Sequence, residues 1–392
     1  MEFDNMTAGS PLADVSSITL EPRQAGIPGS ISITCYEHDV PPFVEAELER
    51  LYAHIYSSLV QFRIYGGLNE QTNTYVVHEG EKVVTIFLFR IDGESVEVLN
   101  QSIWISNEDI LRFARHIFSA YPSIKRIAFH AVRADALQLP YPHQRFNCTD
   151  DIVITLPSTA EEYLASLGKN TRRNIKRYMD RLKRSFPSFR YECHVKDEIN
   201  EQQVREIIGF NRARMAGKNK VSTLDQLEEE RIVQLVKACG LFGVATIDGR
   251  TCAGGIAYRC GDNYFLYVIA HDPAYDDYWI GILCCYLTIC ECIARGGKAF
   301  HFLWGRYEYK FTLGAVLRQL DRIIIYRSRL QFLLHARMAL RIAFNGYMHK
   351  LKFGLLEKAR RRDSFSARLL SDCFNHGRRL KRFADGLLQR RT

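Results

Sequence analysis

The strongest constraint on this chain is an element order written twice. The first copy is "TYVVHEGEKVVTIFLFRIDGESVEVLNQSIWISNEDILRFARHIFSAYPSIKRIAFHAV". A strand meets a turn at Glu79-Gly80, and a strand over 82–90 meets a turn at Asp92-Gly93. A strand over 95–99 leads to a helix that begins at Ser106 or Asn107, both good caps, and ends by Tyr121. A strand over 125–129 closes the copy. The second copy is "LFGVATIDGRTCAGGIAYRCGDNYFLYVIAHDPAYDDYWIGILCCYLTICECIARGGKAFHFLWG". It gives a strand, a turn at Asp248-Gly249, a strand over 251–259, a turn at Gly261-Asp262 and a strand over 263–270. After "HDPAYDDYW" an apolar helix over 279–294 stops at Gly296-Gly297, and 298–303 is the final strand. The turn glycines Gly80 and Gly93 stand 13 residues apart, Gly249 and Gly261 12 apart. Asp-Gly pairs between apolar runs are hairpin signals. A helix between two strands of one sheet makes a parallel crossover, which places a cleft at the strand C-termini. The expectation is an α/β fold with a mixed sheet in two similar halves.

The 392 residues are 47% hydrophobic, enough for a full core and for two or three domains. The net charge of +9 is uneven. Residues 328–392 hold sixteen Lys or Arg and four Asp or Glu, hence +12, leaving −3 for residues 1–327. The boundaries expected are a disordered stretch over 1–28, a first half over 29–156, a second half over 157–327 and a basic helical tail over 328–392. The tail is amphipathic, with Leu333, Ala336, Leu340, Phe344 and Tyr347 on one face. It suits docking on the body or an anionic membrane surface, with nucleic acid the least favoured partner. The first residues lack a basic start and an apolar run, so the eleven cysteines read as reduced thiols of a cytoplasmic protein, for which the tail offers peripheral attachment at the inner membrane as an alternative. Cys284, Cys285, Cys290 and Cys292 lie in an apolar helical run without CxxC spacing, so they read as core residues and no metal is expected.

Between the copies stands "LPSTAEEYLASLGKNTRRNIKRYMDRLKR". Ser158 and Glu161 have capping-box spacing, Gly168 ends the first helix, and Asn170 or Thr171 can cap the second. Arg172, Lys176 and Asp180 share one stripe of that helix, Arg173 and Arg177 the next, and Ile175, Met179 and Leu182 its apolar face. The plain reading is a solvated basic helix. The functional one is a cleft wall that attracts phosphate.

"SLGKNTRRNIKRYMDRL" followed by "GGIAYRCGDNYFLYVIAHDPAYDDYWIGILCCYLTICECIARGGKAFHFLWGRYEYK" resembles the GNAT acyltransferase superfamily. The likeness is to a bacterial, CelD-like acetyltransferase subgroup associated with polysaccharide synthesis and related to Fem-type aminoacyl transferases. It covers about 155–315, and the first half matches by element order. It implies two tandem GNAT-like halves and acyl transfer from acetyl-CoA or another acyl-CoA to an amine or hydroxyl. The alternatives are a Fem-like transferase using charged tRNA and a GNAT-like scaffold without catalysis. The implied cofactor strand is Tyr267, Val268, Ile269 and Ala270, and the implied pyrophosphate site is the helix start at Tyr278, Trp279, Ile280 and Gly281. The Gly-rich loop of the superfamily is replaced by "YDDYWIGI", with one glycine plus Asp276 and Asp277. Arg172, Arg173, Lys176 and Arg306 are the implied substrate-binding cations.

The chemistry needs a base, an oxyanion donor and an acid for the departing thiolate. "WGRYEYK" offers Tyr309 or Tyr307 as acid, Glu308 as base with His301 and His271 as rivals, and Lys310 or Arg306 for an anionic group. Asp272 is the further candidate base. Each has a structural alternative: His301 as a hydrogen-bonded strand residue, Glu308 as the ion-pair partner of Lys310 or Arg306, and Asp272 as a turn former before Pro273.

Overall fold

The computed structural model describes residues 30–218, 222–335 and 340. The expected disorder of 1–28 and most of the basic tail lie outside the described residues.

The first copy supplies β1 (Ile31–Tyr36), α1 (Val44–Tyr52), α2 (Leu59–Tyr65), β2 (Asn73–Glu79), β3 (Lys82–Asp92), β4 (Ser95–Val98), β5 (Trp104–Ile105), α3 (Asn107–Ala120), β6 (Arg126–Ala134) and β7 (His143–Thr155). The connecting helices α4 (Ala160–Ser166) and α5 (Lys169–Ser185) follow. The second copy supplies β8 (Arg190–His194), α6 (Glu201–Gly217), α7 (Gln226–Cys239), β9 (Gly240–Ile247), β10 (Arg250–Cys260), β11 (Asn263–His271), α8 (Ile280–Ala294), β12 (Ala299–His301), α9 (Glu308–Thr312), β13 (Val316–Tyr326) and α10 (Arg329–Leu334). The expected order is present in both copies. Gly80 and Gly249, at matching hairpin turns, have φ of +61° and +74°, which a side chain would strain.

All main strands join one mixed sheet in the order β1-β2-β3-β4-β6-β13-β7-β12-β11-β10-β9-β8. The parallel pairs are β4 with β6 and β11 with β12, each spanned by a crossover helix. Five strands were not anticipated, β1, β5, β7, β8 and β13, and two of them tie the copies together. β7 follows the first copy yet pairs with β12 of the second. β13 follows the second copy yet inserts between β6 and β7. Polar residues interrupt both: Asp150 and Asp151 in β7, Arg318, Asp321 and Arg322 in β13. That pattern hides a strand whose polar side chains face a cleft or an internal seam rather than alternating toward solvent.

Apolar layers cover the sheet. α3 packs its Ile110, Phe113 and Ile117 on the first half, with Ile323 and Ile325 of β13 in the same cluster. α4, α5 and α8 cover one face of the second half, and α6 and α7 the other. α5 buries Ile175 and Leu182, as its periodicity requires. Its start differs from expectation: Gly168 is the residue before the first turn and Lys169 begins the helix, because Leu167 is buried and anchors the connection. The cap of α4 is also displaced by one. Thr159 Oγ1 accepts from Glu162 N at 3.1 Å, and Ser158 N donates to Glu162 Oε2 at 3.1 Å. No helix among the described residues is long and apolar enough to cross a membrane.

The segment after α1 docks the first half onto the second. Asn263 Nδ2 donates to Ala53 O at 2.9 Å, and Gly261 N to Glu49 Oε1 at 2.8 Å. If β13 completes the first core, truncating it there must damage that half. Ile323→Ala, at a site with no exposure, should cost about 2–5 kcal/mol in urea unfolding. A loss under about 0.5 kcal/mol would show that β13 is an accessory edge.

Candidate active site

β11 and β12 are hydrogen-bonded only over Asn263–Phe265 and Ala299–His301. Beyond that they part, because β12 ends while β11 runs on to His271. The register of β10 against β11 skips Tyr267, a bulge that bends β11. From Leu266 onward the edge of β11 toward β12 has no strand beside it. Val268, Ile269 and Ala270 lie along this edge, so the wedge opens where a crossover fold places ligands.

α8 begins at the open end of the wedge. Asp272 Oδ1 accepts from Ala274 N at 2.9 Å and caps a 3-10 turn over Pro273–Tyr278. Trp279 then adopts φ +60° and Ile280 starts the helix, its side chain buried. A Cβ on Gly281 would stand 2.6 Å from His271 Nδ1. The glycine therefore lets the helix start close onto the end of β11. His271 Nε2 and Asp276 Oδ1 are 2.6 Å apart in the same turn. α5 supplies the cations here. Arg181 donates to Asp277 O at 3.3 Å and lies over the Tyr278 ring at 4.9 Å. Arg177 lies over Tyr178, whose ring meets Trp279 at 5.4 Å. Of the cations expected here, Arg172 instead donates to Ala165 O, and Arg173 and Lys176 are exposed along α5. Arg181 was missed in the sequence; its i, i+4 spacing from Arg177, on the stripe next to Arg172 and Lys176, is the signal that could have found it.

The stretch after β12 is not an extended exit from the core. Leu303 and Gly305 take φ of +56° and +91°, and Glu308 starts the short helix α9. Lys310 is 4% exposed. Its Nζ donates to Phe302 O at 2.8 Å and Trp304 O at 2.7 Å, two carbonyls left without strand partners where the sheet splits. The lysine expected to bind an anionic group thus also serves as an internal brace. Burial pushes its pKa down to about 8, so it gives up a proton near neutrality. Tyr309 stands edge-on to Phe302 at 5.9 Å, and burial raises its phenol well above the usual range. Arg306 grips Asp150 Oδ2 with Nε and a terminal nitrogen, both at 2.8 Å. Glu308 is exposed at the α9 start, and Asp272 stands outside the wedge as a cap.

The opposite wall was not legible. Tyr56 of the first half stacks on Trp304 at 5.5 Å, and Tyr267 meets Trp304 edge-on at 6.5 Å. Glu228 Oε1 accepts from Tyr65 at 2.7 Å and Tyr267 at 2.5 Å. His301 Nδ1 lies 2.8 Å from Asp151 Oδ2 at the point where the strands part. The structure brings together Val268–Ala270, Trp279–Gly281, Tyr309, Lys310, Arg306 and His301 around the wedge.

Residues 169–311 match the model of the Acetyltransferase (GNAT) domain family. This range runs from the first residue of α5 into α9 and contains β11, β12 and the start of α8, while Tyr56, Tyr65 and Asp151 lie outside it. FemX has the same fold at a TM-score of 0.57 with 8% identity, over 77% of this chain and 99% of that one. A conserved protein of unknown function from Bacteroides thetaiotaomicron aligns at 0.47 with 11% identity, over 73% of this chain and 96% of its own. L-PGS from Bacillus licheniformis aligns at 0.46 with 12% identity, over 75% and 93%. No curated protein sequence matches the chain. Residues 169–311 thus carry the GNAT likeness, and the chain shares the fold of FemX.

The two carbonyls at Lys310 need two hydrogens, which a neutral amine already supplies. Lys310→Met should therefore lose about 1–3 kcal/mol by leaving both carbonyls unpaired. Between pH 8 and 10.5 the unfolded chain holds a Lys310 proton that the folded chain has shed, so stability rises with pH in that window. The advantage of the parent over Lys310→Met should grow by up to about 3 kcal/mol from pH 7.5 to 10, from about 1.4 kcal/mol per unit. Denaturant titrations of both proteins at the two pH values measure it. A difference that shrinks with pH would mean that the ammonium form is the one held.

Proposed function

We propose that the chain is an acyltransferase whose reaction takes place between β11 and β12, moving an acyl group from a coenzyme A thioester to an amine or hydroxyl. The free edge of β11 beside the start of α8 carries this reading. An extended pantetheine arm can add to Val268–Ala270 as a strand would. A pyrophosphate can take the N–H groups of Ile280 and Gly281 at the start of α8, with Arg181 beside them, while Trp279 N is already engaged by Asp276 O at 3.1 Å. Tyr309 is the proposed acid for the leaving thiolate, and the partly neutral Lys310 and the exposed Glu308 are proton acceptors within α9. Asp272 is kept as the outer candidate. Arg306, with Arg172, Arg173 and Lys176 on α5, supplies positive potential for an anionic substrate. A polysaccharide or cell-envelope precursor is the proposed acceptor. The basic segment after 328 suits a cytoplasmic protein resting on an anionic membrane face.

One observation favours a second reading. Asp276 is largely exposed where a pyrophosphate would sit, and Asp277 is next to it. A donor without that group, such as an aminoacyl ester on tRNA, avoids the repulsion.

Calorimetry with acetyl-CoA separates the two. Binding in the micromolar to millimolar range typical of substrates is expected. Gly281→Asp should abolish it, by adding bulk against His271 and a charge at the phosphate position. Arg181→Gln should weaken it about tenfold, near 1.4 kcal/mol. Tyr309→Phe should cost roughly 10²-fold in kcat with KM nearly unchanged. No affinity for acetyl-CoA, together with transfer from charged tRNA, would establish the second reading.

A further inference from the structure

Three buried side chains meet at the point of the wedge and come from three places in the chain. His54 belongs to the docking segment after α1, Asp151 to β7, and His301 ends β12. They are 4%, 6% and 5% exposed. One ligating atom of each lies within 4.8 Å of the others. Phe265 holds both rings, stacked on His301 at 4.5 Å and edge-on to His54 at 4.6 Å, and the two imidazoles are perpendicular at 5.4 Å. Yet His54 Nε2 and Asp151 Oδ1 are buried without a hydrogen-bond partner. Each such orphan costs about 1–3 kcal/mol. Both belong to one cluster whose ligating atoms lie within 4.8 Å of each other, so a single group bound among the three side chains would pair both.

The tautomers say what that group is. Burial alone would raise the Asp151 carboxyl, but the hydrogen bond and charge of His301, with His54 and Arg318, bring it below its ordinary value. The ionised Asp151 Oδ2 can only accept, so His301 carries a proton on Nδ1 and a lone pair on Nε2. His54 is the reverse. Its Nδ1 accepts the backbone N–H of Tyr56 at 3.2 Å, so its proton is on Nε2. Burial, with His301 nearby, pushes its pKa down to about 3, so it stays neutral. The three residues have the composition of a metal site, but a cation needs a lone pair from each histidine. His54 has none to give while it caps Tyr56. The space instead offers one N–H donor and, on His301 and Asp151, acceptors. That complements a hydroxyl group.

Resting on the acyl-transfer reading above, we infer that Asp151, His301 and His54 form a proton-accepting centre that directs the acyl group to a hydroxyl acceptor rather than an amine. The acceptor oxygen receives the His54 Nε2–H in one lone pair and keeps the other for attack. A neutral amine has a single lone pair, which His54 would occupy. As the new C–O bond forms at the thioester carbonyl carbon, the hydroxyl proton passes to His301 Nε2. The C–S bond breaks and Tyr309 protonates the departing thiolate, giving free coenzyme A thiol and the O-acyl ester, after which the proton held by His301 restores the Tyr309 hydroxyl through solvent. His301 is the catalytic residue of this step. Asp151 and His54 are positioning residues. The centre takes His54 from the first half and His301 from the second, so both halves contribute to it.

Two measurements test this on the full chain. Nitrogen-15 histidine NMR should find His301 protonated on Nδ1 and His54 on Nε2. Asp151→Asn, whose amide can donate, should move the His301 proton to Nε2. His301 protonated on Nε2 in the parent, or His54 on Nδ1, overturns the centre whatever the activity. The second measurement follows release of coenzyme A thiol from acetyl-CoA with simple alcohols and with amines of matched size. Alcohols should be the better acceptors. His301→Gln should lower kcat by about 10²-fold or more with the acetyl-CoA Kd unchanged, and Asp151→Asn by a similar factor. Faster transfer to amines overturns the inference even where acyl transfer itself is confirmed. A chain that neither binds nor turns over acetyl-CoA refutes the acyl-transfer reading and the acceptor class with it, while the NMR result still decides the centre. Should His301→Gln fail to fold, the tautomer shift in Asp151→Asn carries the test.

Discussion

The antiparallel ladder between β7 and β13 is the interaction on which the rest depends. Each strand follows one copy of the repeat and serves the other. β13 lies against β6 and lends Ile323 and Ile325 to the core under α3. β7 lies against β12 and carries Asp150 and Asp151 to the edge of the wedge. Two separate sheets would each expose an edge strand, with a row of unpaired N–H and C=O groups. The exchange removes both edges and joins the cores into one continuous sheet. It also fixes the distance between the first half's docking segment and the end of β12, which no contact within either half could do.

Buried polar chemistry collects along that ladder for a backbone reason. Where β11 and β12 part, carbonyls at Phe302 and Trp304 lose the partners that a longer strand would give them, and Lys310 takes their place. Arg306 neutralises Asp150, and His301 engages Asp151 on the neighbouring position of the strand. Successive residues of a strand point to opposite faces, so adjacent acids serve the two sides of the sheet. The apolar layers elsewhere have no comparable set. A buried lysine whose pKa falls to about 8 and a buried histidine held neutral are costs that the core could have avoided with apolar residues. Their concentration at one split in the sheet is the physical mark of a site.

The sequence was informative where periodicity is regular. The hairpin glycines, the two crossover helices and the apolar face of α5 were legible because each follows a local rule of turn chemistry or spacing. β7 and β13 were not, since Asp150, Asp151, Arg318 and Arg322 break the apolar run that would announce a strand. "YEYK" read as site chemistry, with Lys310 as a group for an anionic substrate, and nothing local marked the lysine as buried. Its burial follows from the splitting of the sheet, which no local pattern records. His301 was visible as a candidate, but its partners lie about 150 and 250 residues away in the chain. Asp151 and His54 become legible only when the ladder and the docking segment bring them to it.

The two copies began with the same element order, and the stretch after the third strand decides why only one holds an open wedge. In the first copy "NQSIWISN" continues alongside β6. Ser102 N donates to Ala131 O at 2.6 Å, Arg133 N to Ile103 O at 2.8 Å, and β5 pairs with the end of β6. Ile103 and Ile105 are buried there, so apolar side chains draw the chain into the gap and close it. In the second copy the matching stretch is "HDPAYDDYWIG". Pro273 cannot donate to a neighbouring strand, and the Asp272 cap turns the chain outward into a 3-10 turn. Asp276 and Asp277 have no apolar gap to fill. The edge of β11 is left bare as a direct consequence, and the filled first copy becomes the rigid support that presents Tyr56 and His54 to it. One repeat thus fills its wedge by packing and the other leaves its wedge open.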